Sequence, residues 1–153
     1  MNRLPALCAG ALLLAVVALG VGCGEGGVEG GATVSVYVAA PLCKEARGAL
    51  EKAGGKADDL EVQALCLAPV ESGGGVDLAV AGANARRATE DSSSVAYLEA
   101  PGPAAKFSQS IVEAANIAWL KAGSGATALH EVLKALEERG SSSPRAAVLD
   151  QAG

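Results

Sequence analysis

The amino-acid sequence predicts an α/β fold, namely a single three-layer lobe with a parallel sheet of about four strands. Four short runs that are rich in β-branched or other apolar residues alternate with segments of helical periodicity. Proline or glycine separates most of these segments from their neighbours. Such alternation is typical of a parallel sheet with right-handed crossovers and with helices on both faces.

The first strand and the first helix are predicted over residues 33–39 and 42–53. The strand sequence, TVSVYVA, is mostly apolar on both sides of the chain, as in a strand that is buried on both faces. Pro41 ends this strand, and Gly54-Gly55 ends the helix that follows it. The second strand is predicted over residues 60–68, and we expect it to lie beside the first, because consecutive strands usually neighbour each other in such sheets.

The second helix begins after Asp77, which is a suitable N-cap, and residues 95–98 form the third predicted strand. Pro103 is predicted as the first residue of the third helix, because proline has no amide hydrogen that needs a helical partner. The inner stripe of that helix is predicted to consist of Phe107, Ile111, Val112 and Ala115. Core positions are predicted for Tyr37 and Tyr97 as well.

Residues 117–120 form the fourth predicted strand, and the clearest helical pattern in the chain follows over residues 127–139. Its apolar stripe has the spacing of a single helix face and consists of Leu129, Val132, Leu133 and Leu136. Ser143 and Pro144 then begin a last short helix.

Residues 1–22 are predicted to be a signal peptide, because a positive charge precedes a short apolar run that ends in small residues. The stretch GVGCGEGG resembles the lipobox of bacterial lipoproteins, with Cys23 as the acylated residue. This resemblance implies a protein that is anchored to the outer face of the cytoplasmic membrane; plain secretion and an uncleaved anchor are the alternatives. Residues 23–32 are rich in glycine and predict a flexible tether.

Cys43 and Cys66 would remain in a compartment that permits disulfides. Cys43 follows the end of the first strand and Cys66 lies late in the second. Because we expect those strands to be neighbours, the positions favour a disulfide between the two cysteines. Two separate buried thiols are the alternative.

The composition excludes several classes of function. A formal net charge of −5 and an aromatic content of 3% provide no electrostatic surface for nucleic acid. There is no basic patch for anionic lipids, so the acyl chain is the expected link to the membrane. His130 is the sole histidine and has no cysteine at metal-ligand spacing. We therefore predict no catalytic residues, no metal and no cofactor.

A family resemblance is carried by the segment GANARRATEDSSSVAYLEAPGPAAKFSQSIVEAANIAWLKAGSG. It resembles the first lobe of extracellular solute-binding receptors of branched-chain amino acid ABC transporters, the leucine-binding-protein-like family. That family has an A-N-A-R-K-A helix, an acidic turn, a strand of the type A-Y-L/I-G and a helix of the type P-I-L-N-E-A-G-I. The likeness spans residues 33–124 and implies a type I periplasmic binding fold.

Residues 125–151 resemble the late helices by which that family's chain returns to its first lobe. The join between the two parts is KAGSGA, where full-length relatives have a second α/β lobe. The resemblance therefore implies one lobe, over residues 33–151. It also implies an amino acid or similar small molecule as the ligand and an ABC permease as a possible partner.

Ligands of open α/β sheets bind beyond the carboxyl ends of the strands. In the family, the turns after strands three and four hold the ligand's charged groups. Carried over to this sequence, the ligand-binding positions are Pro101, Gly102, Ala104, Ala105, Lys121 and Ser124. The first of these turns lacks the family's serine and threonine hydroxyls. A degenerate single lobe that serves as an interaction module without small-molecule binding is therefore the alternative hypothesis, and an enzyme is a third.

Overall fold

The computed structural model describes residues 31–139 and 143–152. These residues contain seven strands and five helices. The strands are β1 (Thr33–Val38), β2 (Lys56–Ala57), β3 (Leu60–Cys66), β4 (Glu71–Ser72), β5 (Gly75–Val76), β6 (Ser94–Glu99) and β7 (Ala118–Lys121). The helices are α1 (Ala40–Lys52), α2 (Leu78–Glu90), α3 (Ala105–Ala114), α4 (Gly125–Arg139) and α5 (Pro144–Ala152). The predicted signal peptide, the lipidation site Cys23 and residues 23–30 of the predicted tether lie outside the described residues.

The main sheet has five strands in the order β2-β3-β1-β6-β7. Strands β3, β1, β6 and β7 are parallel, whereas β2 pairs with β3 in the antiparallel direction. The α/β class is confirmed and the four predicted strands are parallel, but the sheet as a whole is mixed and has five strands, because β2 was not predicted. The additional strand forms because Asp58 adopts a positive φ of 55°, which lets Lys56–Ala57 turn back along β3.

Two apolar clusters lie on opposite faces of the sheet, which is compatible with a three-layer α/β fold. One cluster joins Val34, Val36 and Val38 of β1 to α1, α4 and α5. The other joins Tyr37 and Tyr97 to α2 and α3. Alternate residues of β1 thus serve different faces, as the pleat of a strand requires. The tyrosines and the apolar stripe of α4 are buried as predicted.

Helix α3 differs from its prediction at two places. It begins at Ala105, because Pro103 lies in a turn in which the amide of Ala105 donates to the carbonyl of Gly102 at 3.2 Å. Phe107 was placed in the inner stripe but is 41% exposed. Val112 of the predicted stripe is buried, Ser108 is buried on the same helix face, and the ring of Phe107 lies over Gly82 of α2.

A disulfide joins Cys43 of α1 to Cys66 at the end of β3, with a Cα–Cα distance of 5.6 Å. The prediction of this bond is confirmed. Cys66 is paired with Val38 across the parallel ladder, so the bond connects the end of β3 to the helix that directly follows the neighbouring strand β1. It therefore fixes the start of α1 relative to β3.

Reduction of this disulfide is expected to lower the free energy of unfolding by about 3 kcal/mol, because the bond restricts the unfolded chain. Urea unfolding of the purified protein with and without reductant measures the change. The double variant Cys43→Ala/Cys66→Ala serves as the control and should show no dependence on reductant. Alkylation of Cys43 or Cys66 in folded protein without reductant would contradict the bond.

The packing of α4 on α1 requires a glycine at the first residue of α4. A Cβ atom on Gly125 would overlap the carbonyl oxygen of Leu42 and would lie 3.1 Å from the amide nitrogen of Ala46. These are backbone atoms of α1, so they cannot move aside as a side chain would. Nearby, Glu45 of α1 accepts hydrogen bonds from the Ser124 hydroxyl at 2.9 Å and from the Gly125 amide at 3.1 Å.

Substitution Gly125→Ala is expected to destabilise the protein by about 1–3 kcal/mol, because α1 and α4 would have to separate. The matched control is Gly123→Ala, since a Cβ at that position meets no atom within 4 Å. We expect the control to stay within about 0.5 kcal/mol of the parent protein. Urea unfolding of the three proteins provides the comparison, and equal stabilities would disprove the close contact.

Candidate functional site

A cleft of about 500 Å³ lies at the carboxyl edge of the main sheet. It is bounded by the turns that follow β1, β3 and β6. Strand β1 lies between β3 and β6, and the chain leaves β1 towards one face of the sheet and β6 towards the other. The cleft thus occupies the point at which the strand order reverses, where ligands of open α/β sheets bind.

The walls of the cleft are formed mainly by small and apolar residues. Alanine and proline predominate after β1 and β6, and Leu67, Val70 and Val76 contribute from the region between β3 and α2. The polar side chains in the lining are those of Glu45, Glu71, Asn84, Tyr97 and Glu99. The described lining contains three carboxylates and neither a basic side chain nor a serine or threonine hydroxyl.

The structure brings together four of the six residues that the sequence placed at the ligand site. Pro101, Gly102, Ala104 and Ala105 all line the cleft. The other two, Lys121 and Ser124, line a separate surface depression beside Trp119. The hydroxyl of Ser124 donates to Glu45, as described above, and it lies 3.5 Å from the amide of Thr127, which it caps at the start of α4.

Glu99 ends β6 and points into the buried side of the cleft, with 5% of its surface exposed. Its Oε1 accepts a hydrogen bond from the amide of Ala100 at 3.1 Å. Its Oε2 accepts a short bond of 2.6 Å from the hydroxyl of Ser108. In the described part of the chain, no cationic side chain lies within 4.0 Å of this carboxylate. Glu99 is therefore a buried acid without a counter-charge.

Ser108 allows Glu99 to be either ionised or protonated. The hydroxyl is also 3.1 Å from the carbonyl of Ala105, and it accepts a hydrogen bond from Nε1 of Trp119 at 3.4 Å. When Glu99 is ionised, the single proton of Ser108 bonds to the carboxylate. When Glu99 is protonated, the acid donates to Ser108 and the Ser108 proton turns to Ala105. Neither state leaves a donor without an acceptor.

Burial raises the pKa of Glu99 above its ordinary value, and the hydrogen bonds from Ser108 and Ala100 oppose that rise only in part. Burial likewise raises the pKa of Tyr97, and the charge of Glu99 adds to the effect. The two side chains lie on the same face of β6, two residues apart. They form an electrostatically coupled pair at the floor of the cleft.

The hydroxyl of Tyr97 makes no hydrogen bond to any other described residue, although the side chain is only 1% exposed. Tyr97 belongs to the lining of the cleft, so an occupant of the cleft could supply the partner that the described residues do not. Buried tyrosine hydroxyls usually have a hydrogen-bond partner. The unused hydroxyl therefore marks a position where a polar ligand group fits.

Asn84 has a structural task in the cleft. Its Nδ2 donates to the carbonyl of Ala68 at 2.8 Å, and its Oδ1 accepts from the amide of the same residue at 3.2 Å. This pair of bonds ties the turn after β3 to helix α2. Asn84 is 5% exposed, and both polar atoms of its side chain are hydrogen-bonded to Ala68.

Sequence reasoning did not identify Glu99 or Tyr97 as site residues. The stretch from Glu99 to Pro103 is one of the predicted ligand-facing strand ends, but Glu99 was not selected within it, and Tyr97 was predicted to be a core residue. The sequence did contain one signal for these two residues. Tyr97 and Glu99 are two apart in a strand, so they share a face, and both directly precede the predicted ligand-binding turn that begins at Pro101.

Comparison with protein-family models, curated proteins and solved structures found no match for this chain. Within residues 31–139 and 143–152, no group of three or more histidine, cysteine, aspartate or glutamate side chains is arranged to hold a metal ion. Among the described helices, none has both the length and the hydropathy that a membrane crossing requires.

Titration of Glu99 is expected to change the fluorescence of Trp119, which is the sole tryptophan in the sequence and donates to Ser108. The midpoint should lie above the ordinary glutamate pKa, since burial raises the pKa of Glu99. Glu99→Gln should abolish this transition. Glu113→Gln, which removes another carboxylate near Trp119, should retain it. Persistence of the transition in Glu99→Gln would refute the assignment, and circular dichroism confirms that each protein stays folded.

Proposed function

We propose that this protein is an extracytoplasmic solute-binding lobe that holds a small molecule in the cleft between the turns after β1, β3 and β6. The observation that carries the proposal is the position of the cleft at the reversal of strand order. A volume of about 500 Å³ is within the usual size of small-molecule sites, which is about 300–1,000 Å³. The largely apolar walls with a few polar groups are also typical of such sites.

The cellular setting belongs to the same proposal. The resemblance of residues 33–124 to receptors of branched-chain amino acid ABC transporters supports a substrate-binding component of an uptake system. Lipidation at Cys23 would hold the lobe at the outer face of the cytoplasmic membrane, near a permease. The Cys43–Cys66 disulfide is compatible with that compartment. In two-lobed receptors the second lobe closes over the ligand, so here a partner would supply that wall.

A second candidate function is an interaction module that binds no small molecule. The described lining of the cleft has no hydroxyl side chain at the turn where the resembling family holds its ligand's charged groups. Pro101 and Pro103 also lack amide hydrogens. These features favour loss of an amino-acid site, and a binding measurement separates the two hypotheses.

Calorimetry of the purified protein with amino acids and short peptides at millimolar concentration tests the proposal. Substitution Gly102→Leu is expected to weaken binding about tenfold or more, because the new side chain enters the cleft. Gly48→Leu is the matched control, since a Cβ meets no atom within 4 Å at either glycine and Gly48 lies outside the cleft. It should leave affinity unchanged.

A lack of any response to the full panel would count against an amino-acid receptor and in favour of the interaction module. Equal weakening by both leucine substitutions would show that binding occurs elsewhere on the protein.

A further inference from the structure

The charges that border the cleft are predominantly negative. Glu45, Glu71 and Glu99 contribute three carboxylates, and the described lining has no lysine, arginine or histidine. The N-termini of α1 and α3 also border the cleft and lack side-chain caps. Each N-terminus contributes a partial positive charge of about half a unit. The two together are smaller than the combined negative charge of the three carboxylates. The balance favours a positively charged occupant.

Glu99 and Tyr97 define where the positive charge of such an occupant would bind. Both are at least nine-tenths buried, both line the cleft, and they share one face of β6. The carboxylate uses one hydrogen bond on each oxygen and keeps further acceptor capacity. The Tyr97 hydroxyl has no partner within the described residues. A group with several N–H donors satisfies both side chains at once.

We propose that the cleft selects a small organic cation, a primary amine with an apolar body and no carboxylate, and that Glu99 is its counter-charge. The ammonium donates to the Glu99 carboxylate and to the Tyr97 hydroxyl, and the apolar body lies against the alanine and proline walls. This inference rests on the proposed solute-binding function and names its ligand class. It differs from the amino-acid ligand that the family resemblance implies, because a ligand carboxylate would face the three glutamates.

Binding of such a cation depends on pH, because it requires Glu99 in its ionised form. Affinity is expected to fall as the pH decreases through the pKa of Glu99, by up to about tenfold per pH unit below it. The other ionisable groups in the lining of the cleft are Glu45 on α1, Glu71 on β4 and Tyr97 on β6. Lys121 on β7 is its partner in the ladder but is exposed outside the cleft, and Lys106 on α3 is exposed as well.

Three probes of nearly equal shape test the proposal: 3-methylbutylamine, 3-methylbutanol and 3-methylbutanoate. Their dissociation constants are measured by ¹H–¹⁵N NMR titration of the purified protein near neutral pH. The amide of Ala100 is the reporter, because it donates to Glu99. We expect the amine to bind about tenfold or more tightly than the alcohol, and Glu99→Gln to remove this preference. Glu90→Gln removes an exposed charge at the far end of α2 and should keep the preference.

The outcomes separate this inference from the proposed function. Equal affinity for amine and alcohol, tighter binding of the carboxylate, or an unchanged preference in Glu99→Gln overturns the organic-cation assignment while leaving a solute-binding lobe. Absence of binding by every probe and by the amino-acid panel overturns both. If Glu99→Gln does not fold, the parent protein still decides, because amine affinity must fall with decreasing pH and alcohol affinity must not.

Discussion

The position of β1 between β3 and β6 is the constraint on which the site depends. The chain moves from β1 to β3 through α1 on one face of the sheet, and then crosses to β6 through α2 on the other face. The turns after β1 and β6 consequently diverge, and a gap opens between them. If the helices that follow β1 and β6 lay on the same face of the sheet, the two turns would run in the same direction and this gap would be closed. The cleft is thus a consequence of strand order, and the small residues in the turns keep it open.

The same arrangement explains the contact between α1 and α4. After β7 the chain returns to the face that α1 occupies, so α4 must begin beside the first turns of α1. Gly125 allows the two backbones to approach, and Glu45 supplies the acceptor for the first amide of α4, that of Gly125. Glu45 also lines the cleft. One carboxylate therefore links the packing of the C-terminal helices to the rim of the candidate site.

Most of the fold could be predicted from the sequence because its main elements have strong local signals. The β-branched run of β1, the N-cap Asp77 and the stripe of α4 each specify their structure without distant contacts. The predictions failed for features that are determined by contacts between residues far apart in the sequence. Strand β2 is two residues long and exists because β3 is beside it. Phe107 satisfies a helical periodicity, yet α3 turns so that Ser108 meets Glu99 and the aromatic ring covers Gly82.

The candidate site shows the same division between local and distant information. The turn after β6 could be selected from the sequence, since the end of a parallel strand is recognisable and proline and glycine mark the break. The chemistry of that turn could not be predicted, because it depends on how deeply Glu99 is buried and on a serine nine residues later in the chain.

A buried carboxylate with no cation beside it is destabilising for the fold alone. Ser108 reduces that cost, since it can accept the acid's proton or donate its own, and the remaining cost is relieved by protonation of Glu99 or by an occupant that brings positive charge. The lining of the cleft has no serine or threonine hydroxyl, and its deepest charged group is Glu99, so its chemistry suits a cation better than an anion.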